Sequence, residues 1–258
     1  MGSSEGARTR GAEPPGGGPA EAPLPLLDEG WHRMLAVVAH PDDLEYGAAS
    51  AVARWTSQGK EVSYLLVTRG EAGIDGVEPE RAGPLREKEE RASARVVGVR
   101  EVDFLDHEDG IVEYGLRLRR DIATAIRRTR PDAVLSLSHR LEMGGWVNMA
   151  DHRAVGLAVI DAIRDAGNRW VFRELAEQGI EPWSGVRMTC FFASPAPTHA
   201  VDVTGHIDRG VESLRCHAAY IAGLGDGFDP DAFLRGGAAG SGRRAGCEYA
   251  VPMEVMGL

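Results

Sequence analysis

The chain has 258 residues, 43% of them hydrophobic and 26% charged, with a formal net charge of −10. That length suits one large domain with a substantial core, and the acidic balance argues against a nucleic-acid partner. No apolar run approaches a membrane span. The N-terminus lacks the basic and apolar regions of a signal peptide, and the three scattered cysteines form no C-x-x-C pair. A cytoplasmic protein with neither a disulfide framework nor a thiolate zinc site is therefore expected.

Residues 1–29 are rich in Gly, Pro, Glu and Ala and read as a disordered tail that buries too little to offset chain entropy. Residues 30–258 are expected to form a single α/β domain. Met34–Ala39 is an unbroken apolar run, the pattern of a parallel strand buried on both faces. Glu45–Gln58 has helical spacing and Gly59 ends it. Glu61–Thr68 reads as a second strand, Leu85–Val97 as a strongly charged helix closed by Gly98, and Glu101–Leu105 as a third strand. Leu116–Thr129 is an Arg-rich amphipathic helix stopped by Arg130-Pro131. Ala133–Ser138 is a fourth strand, and Asp151–Ala166 is a helix with Asp151 in its first turn, where negative charge is favourable. Arg187–Ala193 and Ala200–Val203 read as further strands, Ile207–Leu224 as a last helix, and Gly236–Gly246 as a flexible loop. The alternation predicts a Rossmann-like, mostly parallel sheet with helices on both faces.

The first strand runs into His40-Pro41-Asp42-Asp43. In open α/β sheets, ligands bind in the crevice outside the carboxyl ends of the strands. His40 and Asp43 are of the right types for a borderline-soft metal such as zinc. Asp42 is left beside them, where a general base is useful. The competing reading is an Asx turn or a helix cap. The first strand is not followed by G-x-G-x-x-G, and Gly70 and Gly73 lack a third glycine, which speaks against a nicotinamide enzyme. His152 opens a helix. Alone it reads as a surface residue, but zinc wants a third protein ligand and an open fourth position. Asp151 beside it is placed to orient a ring nitrogen.

Three motifs in this order, Ala39-His40-Pro41-Asp42-Asp43, Thr68-Arg69-Gly70-Glu71-Ala72-Gly73 and Asp151-His152-Arg153-Ala154-Val155, resemble the LmbE-like or PIG-L family of metal-dependent N-deacetylases. The likeness runs from about Met34 to Leu224. It implies zinc held by His40, Asp43 and His152, Asp42 as general base, Arg69 as a substrate contact, and an N-acetylglucosaminyl-type small molecule as substrate. Many relatives carry a helper histidine where this chain has Met149, and a thioether donates no proton. His217, at a position where the family often places an active-site histidine, is the candidate replacement, to hold the oxyanion and protonate the amine. Asp109 in the polar loop Asp106–Asp109 and Trp146 before the third motif are candidates to contact the sugar, with a solvated loop and a packing tryptophan as the plainer readings. A two-His, one-carboxylate iron oxygenase is the enzyme rival, and a non-catalytic metal-stabilised binding module is the rival of another class. Whether the chain forms a homo-oligomer is left open.

Overall fold

The alternating runs build one mixed sheet. The strands are β1 (Arg33–Val38), β2 (Glu61–Leu66), β3 (Val102–Phe104) and β4 (Ala133–Leu137), a separate two-stranded hairpin of β5 (Glu142–Met143) and β6 (Trp146–Val147), then β7 (Met188–Phe192), β8 (His199–Asp202) and β9 (Ala250–Gly257). The seven-stranded sheet has the order β3-β2-β1-β4-β7-β9-β8. β3, β2, β1, β4 and β7 pair in parallel, and β9 runs antiparallel between β7 and β8. The computed structural model describes residues 22–257 apart from 144 and 226. Residues 1–21, most of the expected disordered tail, lie outside the described residues. Residues 22–29 pack on the sheet edge instead: Leu24 and Leu27 are buried, and Leu27 N donates to Ala200 O.

β1 shows why the parallel reading holds. Met34, Ala36 and Val38 enter one core and Leu35, Val37 and Ala39 the other, so both faces of this strand are covered. The helices are α1 (Asp43–Gly47), α2 (Ala49–Ser57), α3 (Pro79–Val96), α4 (Leu116–Thr129), α5 (Ala150–Gly167), α6 (Arg173–Glu177), α7 (Ile207–Arg215), α8 (Ala218–Gly223) and α9 (Pro230–Ala245). Among the described residues none is long and apolar enough to cross a membrane.

Three expectations are corrected. The helix expected over Ile207–Leu224 breaks at Cys216-His217, because Ala219 N is drawn onto Glu89 Oε1 (2.7 Å) and His217 turns inward. The helix expected over Glu45–Gln58 breaks at Ala48, whose φ of −129° interrupts the turn. The loop expected over Gly236–Gly246 is instead the body of α9. Asp229 caps its N-terminus by accepting from Asp231 N, Pro230 takes the first turn, and Gly246 closes it in the left-handed region. Gly242 is there for close packing, since a Cβ on it would lie 2.4 Å from Glu248 O, whereas Gly236 and Gly237 face open space. β9 (Ala250–Gly257) is not among the strands read from the sequence.

Strand order 3-2-1-4 makes the β1/β4 junction a topological switch point, and the loops leaving both strands there open a crevice.

Candidate metal centre and cavity

Asp42 begins the site. It caps α1 with φ 85°, an uncommon conformation for a side-chain-bearing residue, which recurs at functional positions. The turn brings Asp43 back under β1, where its Oδ2 accepts from Ala39 N (3.0 Å) and His40 N (2.9 Å). Oδ1 is left facing His152 Nε2 at 3.1 Å. His152 comes from the first turn of α5, after β4. Its Nε2 lies 3.2 Å from His40 Nδ1, and His40 Nδ1 lies 3.7 Å from Asp43 Oδ2.

The outer hydrogen bonds decide which ring nitrogens are lone-pair donors. Asn148 Nδ2 donates to Ser138 O and Arg140 O, so its Oδ1 faces His152 Nδ1 (2.9 Å) and takes that proton. His40 Nε2 meets Asp109 Oδ1 (3.0 Å) and Asp151 Oδ2 (3.2 Å), which take its proton. Asp151 is itself locked by Gly110 N and Val112 N. Nδ1 of His40 and Nε2 of His152 therefore point their lone pairs at the Asp43 carboxylate.

His152 Nε2 lies 3.1 Å from Asp43 Oδ1 and 3.2 Å from His40 Nδ1, close to the edges, about 3.3 Å, of a tetrahedron with metal–ligand bonds of about 2.0–2.1 Å, and one ligand atom from each of the three residues lies within 4.8 Å of the others. The electrostatics agree. Burial works against the His40 imidazolium, but Asp43, Asp109 and Asp151 outweigh it and raise its pKa well above the usual value. Burial likewise pushes Asp43 up, but His152 and His40 hold it well below the usual carboxylate range. The cluster is built around positive charge, which a divalent ion supplies without protons.

Asp42 stays out of the ligand set. Burial pushes its carboxyl up to about 7, against the pull of Arg86 and with the push of Asp43. Arg86 Nη2 donates to Asp42 Oδ2 (2.8 Å) and to Pro41 O (2.6 Å), and Nη1 to Gly70 O (2.9 Å). This explains the two glycines of the second motif. A Cβ on Gly70 or Gly73 would lie 2.3 or 2.2 Å from Arg86 Nη1.

These groups open into a cavity of about 640 Å³, lined among others by His40, Asp42, Asp43, Asp109, Trp146 and His152. Asp109 lines the cavity, with Oδ1 3.0 Å from His40 Nε2 and Oδ2 accepting from Ala72 N at 2.8 Å. Arg69, expected to touch substrate, does not line the cavity. It is held by Leu105 O, Asp106 and Glu87. His217, expected beside the reacting groups, is fully buried and does not line the cavity either. It caps α8 with Nε2 3.6 Å from Glu45 Oε2 and 3.7 Å from Glu90 Oε2, and Glu90 Oε2 in turn accepts from Asp42 N (3.2 Å). Burial draws His217 down, but Glu45, Glu90 and Asp42 prevail and hold its pKa at about 9.

Arg86 and Glu90 went unrecognised in the sequence, although a signal was present. Arg86, Glu90 and Ser93 sit at helical spacing with Ala82 and Ala94, on the stripe that an amphipathic helix reserves for its core. Charges there mark a polar buried face.

Residues 35–163 match the family model described as PIG-L, GlcNAc-PI de-N-acetylase. A diacetylchitobiose deacetylase of Thermococcus kodakarensis is 30% identical over 221 residues, covering 84% of this chain and 80% of that protein. The solved N,N′-diacetylchitobiose deacetylase of Pyrococcus horikoshii superposes with a TM-score of 0.79 over 88% of this chain and 84% of that one, at 23% identity. The 4-carboxy-2-hydroxymuconate hydratase of Pseudomonas putida superposes with a TM-score of 0.70 over 87% of this chain and 96% of that one, at 19% identity. The two structural likenesses establish the fold and leave the reaction open, since one is a deacetylase and the other a hydratase.

Proposed function

The chain belongs to the PIG-L family of GlcNAc-PI de-N-acetylases, and from that premise we propose a zinc-dependent hydrolase that removes the N-acetyl group from an amino-sugar-containing small molecule. The observation that carries this reading is the convergence of His40 Nδ1, His152 Nε2 and Asp43 Oδ1, with both imidazole tautomers fixed from outside, beside a separate buried carboxylate. Zinc bound there supplies a Lewis acid next to the amide carbonyl.

The chain's own residues do the rest. Asp42, raised toward neutrality, takes a proton from the attacking water as its oxygen bonds to the acetyl carbon. As the carbon–nitrogen bond breaks, Asp42 returns that proton to the departing amine. Water and amide become acetate and free amino sugar. Arg86 fixes the Asp42 carboxylate from one side. We give His217 a positioning role, holding Glu90 and through it the Asp42 backbone, in place of direct contact with substrate. The acting unit is taken as one α/β domain that includes residues 22–29, which pack on its sheet edge. Three cysteines without a disulfide suit a cytoplasmic setting.

The test is amine release from a panel of N-acetylated glucosaminyl compounds by zinc-loaded protein. Stoichiometric acetate and amine are expected. Turnover that requires iron and oxygen, or zinc-loaded protein that releases no amine from any of them, would sink the reading.

A further inference from the structure

We infer that the outer part of the cavity is a subsite for an apolar, uncharged aglycone on the amino sugar, an inference that rests on the deacetylase reading. The cavity's 640 Å³ falls within the range of about 300–1,000 Å³ typical of sites that enclose drug-sized ligands. Away from the metal cluster its wall is aromatic and thioether. Tyr46 packs on Tyr220 (6.5 Å between ring centroids), on Phe233 (5.5 Å) and on Phe228 (5.6 Å). The β5–β6 hairpin and the residue after it add Met143, Trp146 and Met149. Phe233, Met149 and Trp146 remain 49%, 52% and 80% exposed. Large apolar side chains left in water around one opening mark a binding surface. They stand at the mouth, where the part of the substrate that is not the amide must leave the site, so the aglycone is the group they meet.

Charge removes the other classes of aglycone. Among the described residues, Arg86 is the one arginine or lysine that lines the cavity. Both its terminal nitrogens are taken by Pro41 O, Gly70 O and Asp42, and its guanidinium lies 4.3 Å over the Tyr220 ring. The acidic side chains on the wall, Asp42, Asp43 and Asp109, sit in and beside the metal cluster. A carboxylate or phosphate on the aglycone finds no free arginine or lysine among the described lining residues, and burying it unpaired is costly.

The experiment compares kcat/KM of the zinc-loaded full chain for N-acetylglucosamine, its octyl glycoside, its malyl glycoside and N-octanoylglucosamine. Each buried methylene is worth roughly fourfold in binding. The octyl glycoside should therefore exceed the free sugar at least about tenfold, through KM, and the malyl glycoside should not exceed it. Phe233→Ala and Trp146→Ala should each bring the octyl-to-free ratio down several-fold, while Trp170→Ala, which does not line the cavity, should leave it alone. An octyl glycoside within twofold of the free sugar, a preference for the malyl glycoside or for the N-octanoyl amide, or ratios unmoved in both cavity variants would overturn the subsite. Amine release from none of the compounds would instead count against deacetylation. Calorimetric binding of the octyl glycoside would then still decide the subsite: it stands if Phe233→Ala weakens binding and falls if no binding is seen.

Discussion

Two buried clusters of histidine and carboxylate lie close together, and they differ in how their nitrogens are committed. In His40–Asp43–His152 each imidazole has its outer nitrogen taken by Asn148 or by Asp109 and Asp151, so the inner nitrogens are free to ligate. In Glu45–Glu90–His217 neither His217 nitrogen has a hydrogen-bond partner in good geometry, and the cluster is sealed from the cavity. The same residue types thus yield an oriented, reachable centre in one place and an internal charge cluster in the other. Residue type alone does not make a site; the orienting partners and the opening do.

Four variants sharpen or break this contrast. The largest effect is expected for His152→Ala, which removes a ligand and should abolish both metal binding and turnover while the fold survives, as read by circular dichroism. Asp42→Asn should keep the metal and lose about 10²–10⁴-fold in kcat, the usual worth of a positioned base. Its pH profile gives a second readout. Because burial pushes the Asp42 carboxyl up to about 7, wild-type kcat/KM should fall as pH drops through that region, and Asp42→Asn should lose this limb. Near-normal turnover in that variant would remove Asp42 from the chemistry.

Asn148→Leu should weaken zinc binding by about 10–100-fold, measured by competition with a chelator, because the His152 tautomer is no longer fixed. The smallest effect on turnover belongs to His217→Gln, whose cost should fall on stability. Removing the imidazolium leaves two buried glutamates facing each other, a loss of about 3–5 kcal/mol by denaturant unfolding. His217 is held at about 9, above its unfolded value. Its contribution is therefore fully present below about pH 6.5 and lost as pH rises through 9, and the gap between wild type and variant should close over that interval.

Most of the fold was legible because β1 carries an unbroken apolar run and β2 and β4 are mainly apolar, as parallel strands covered on both faces require. The proposed metal ligands His40 and Asp43 were legible because they follow such a strand directly. What the sequence hid depends on tertiary contact. α9 looked like a loop because it is rich in glycine, a poor helix former; Gly242 serves the close approach to the Cys247-Glu248 backbone. His217 looked like a residue of one long helix because nothing local announces the break at Cys216. Arg69 and Arg86 are both arginines near the second motif. Only packing shows that Arg86 turns inward to Asp42 while Arg69 turns out to Asp106 and Glu87.

The contrast between the clusters comes down to where the ion sits, and metal content per chain reads it directly. Wild type, His152→Ala and His217→Gln, each loaded with zinc and desalted, should retain about one, no and one equivalent. Retention of the ion by His152→Ala with its loss from His217→Gln would place the metal in the sealed cluster and contradict the account.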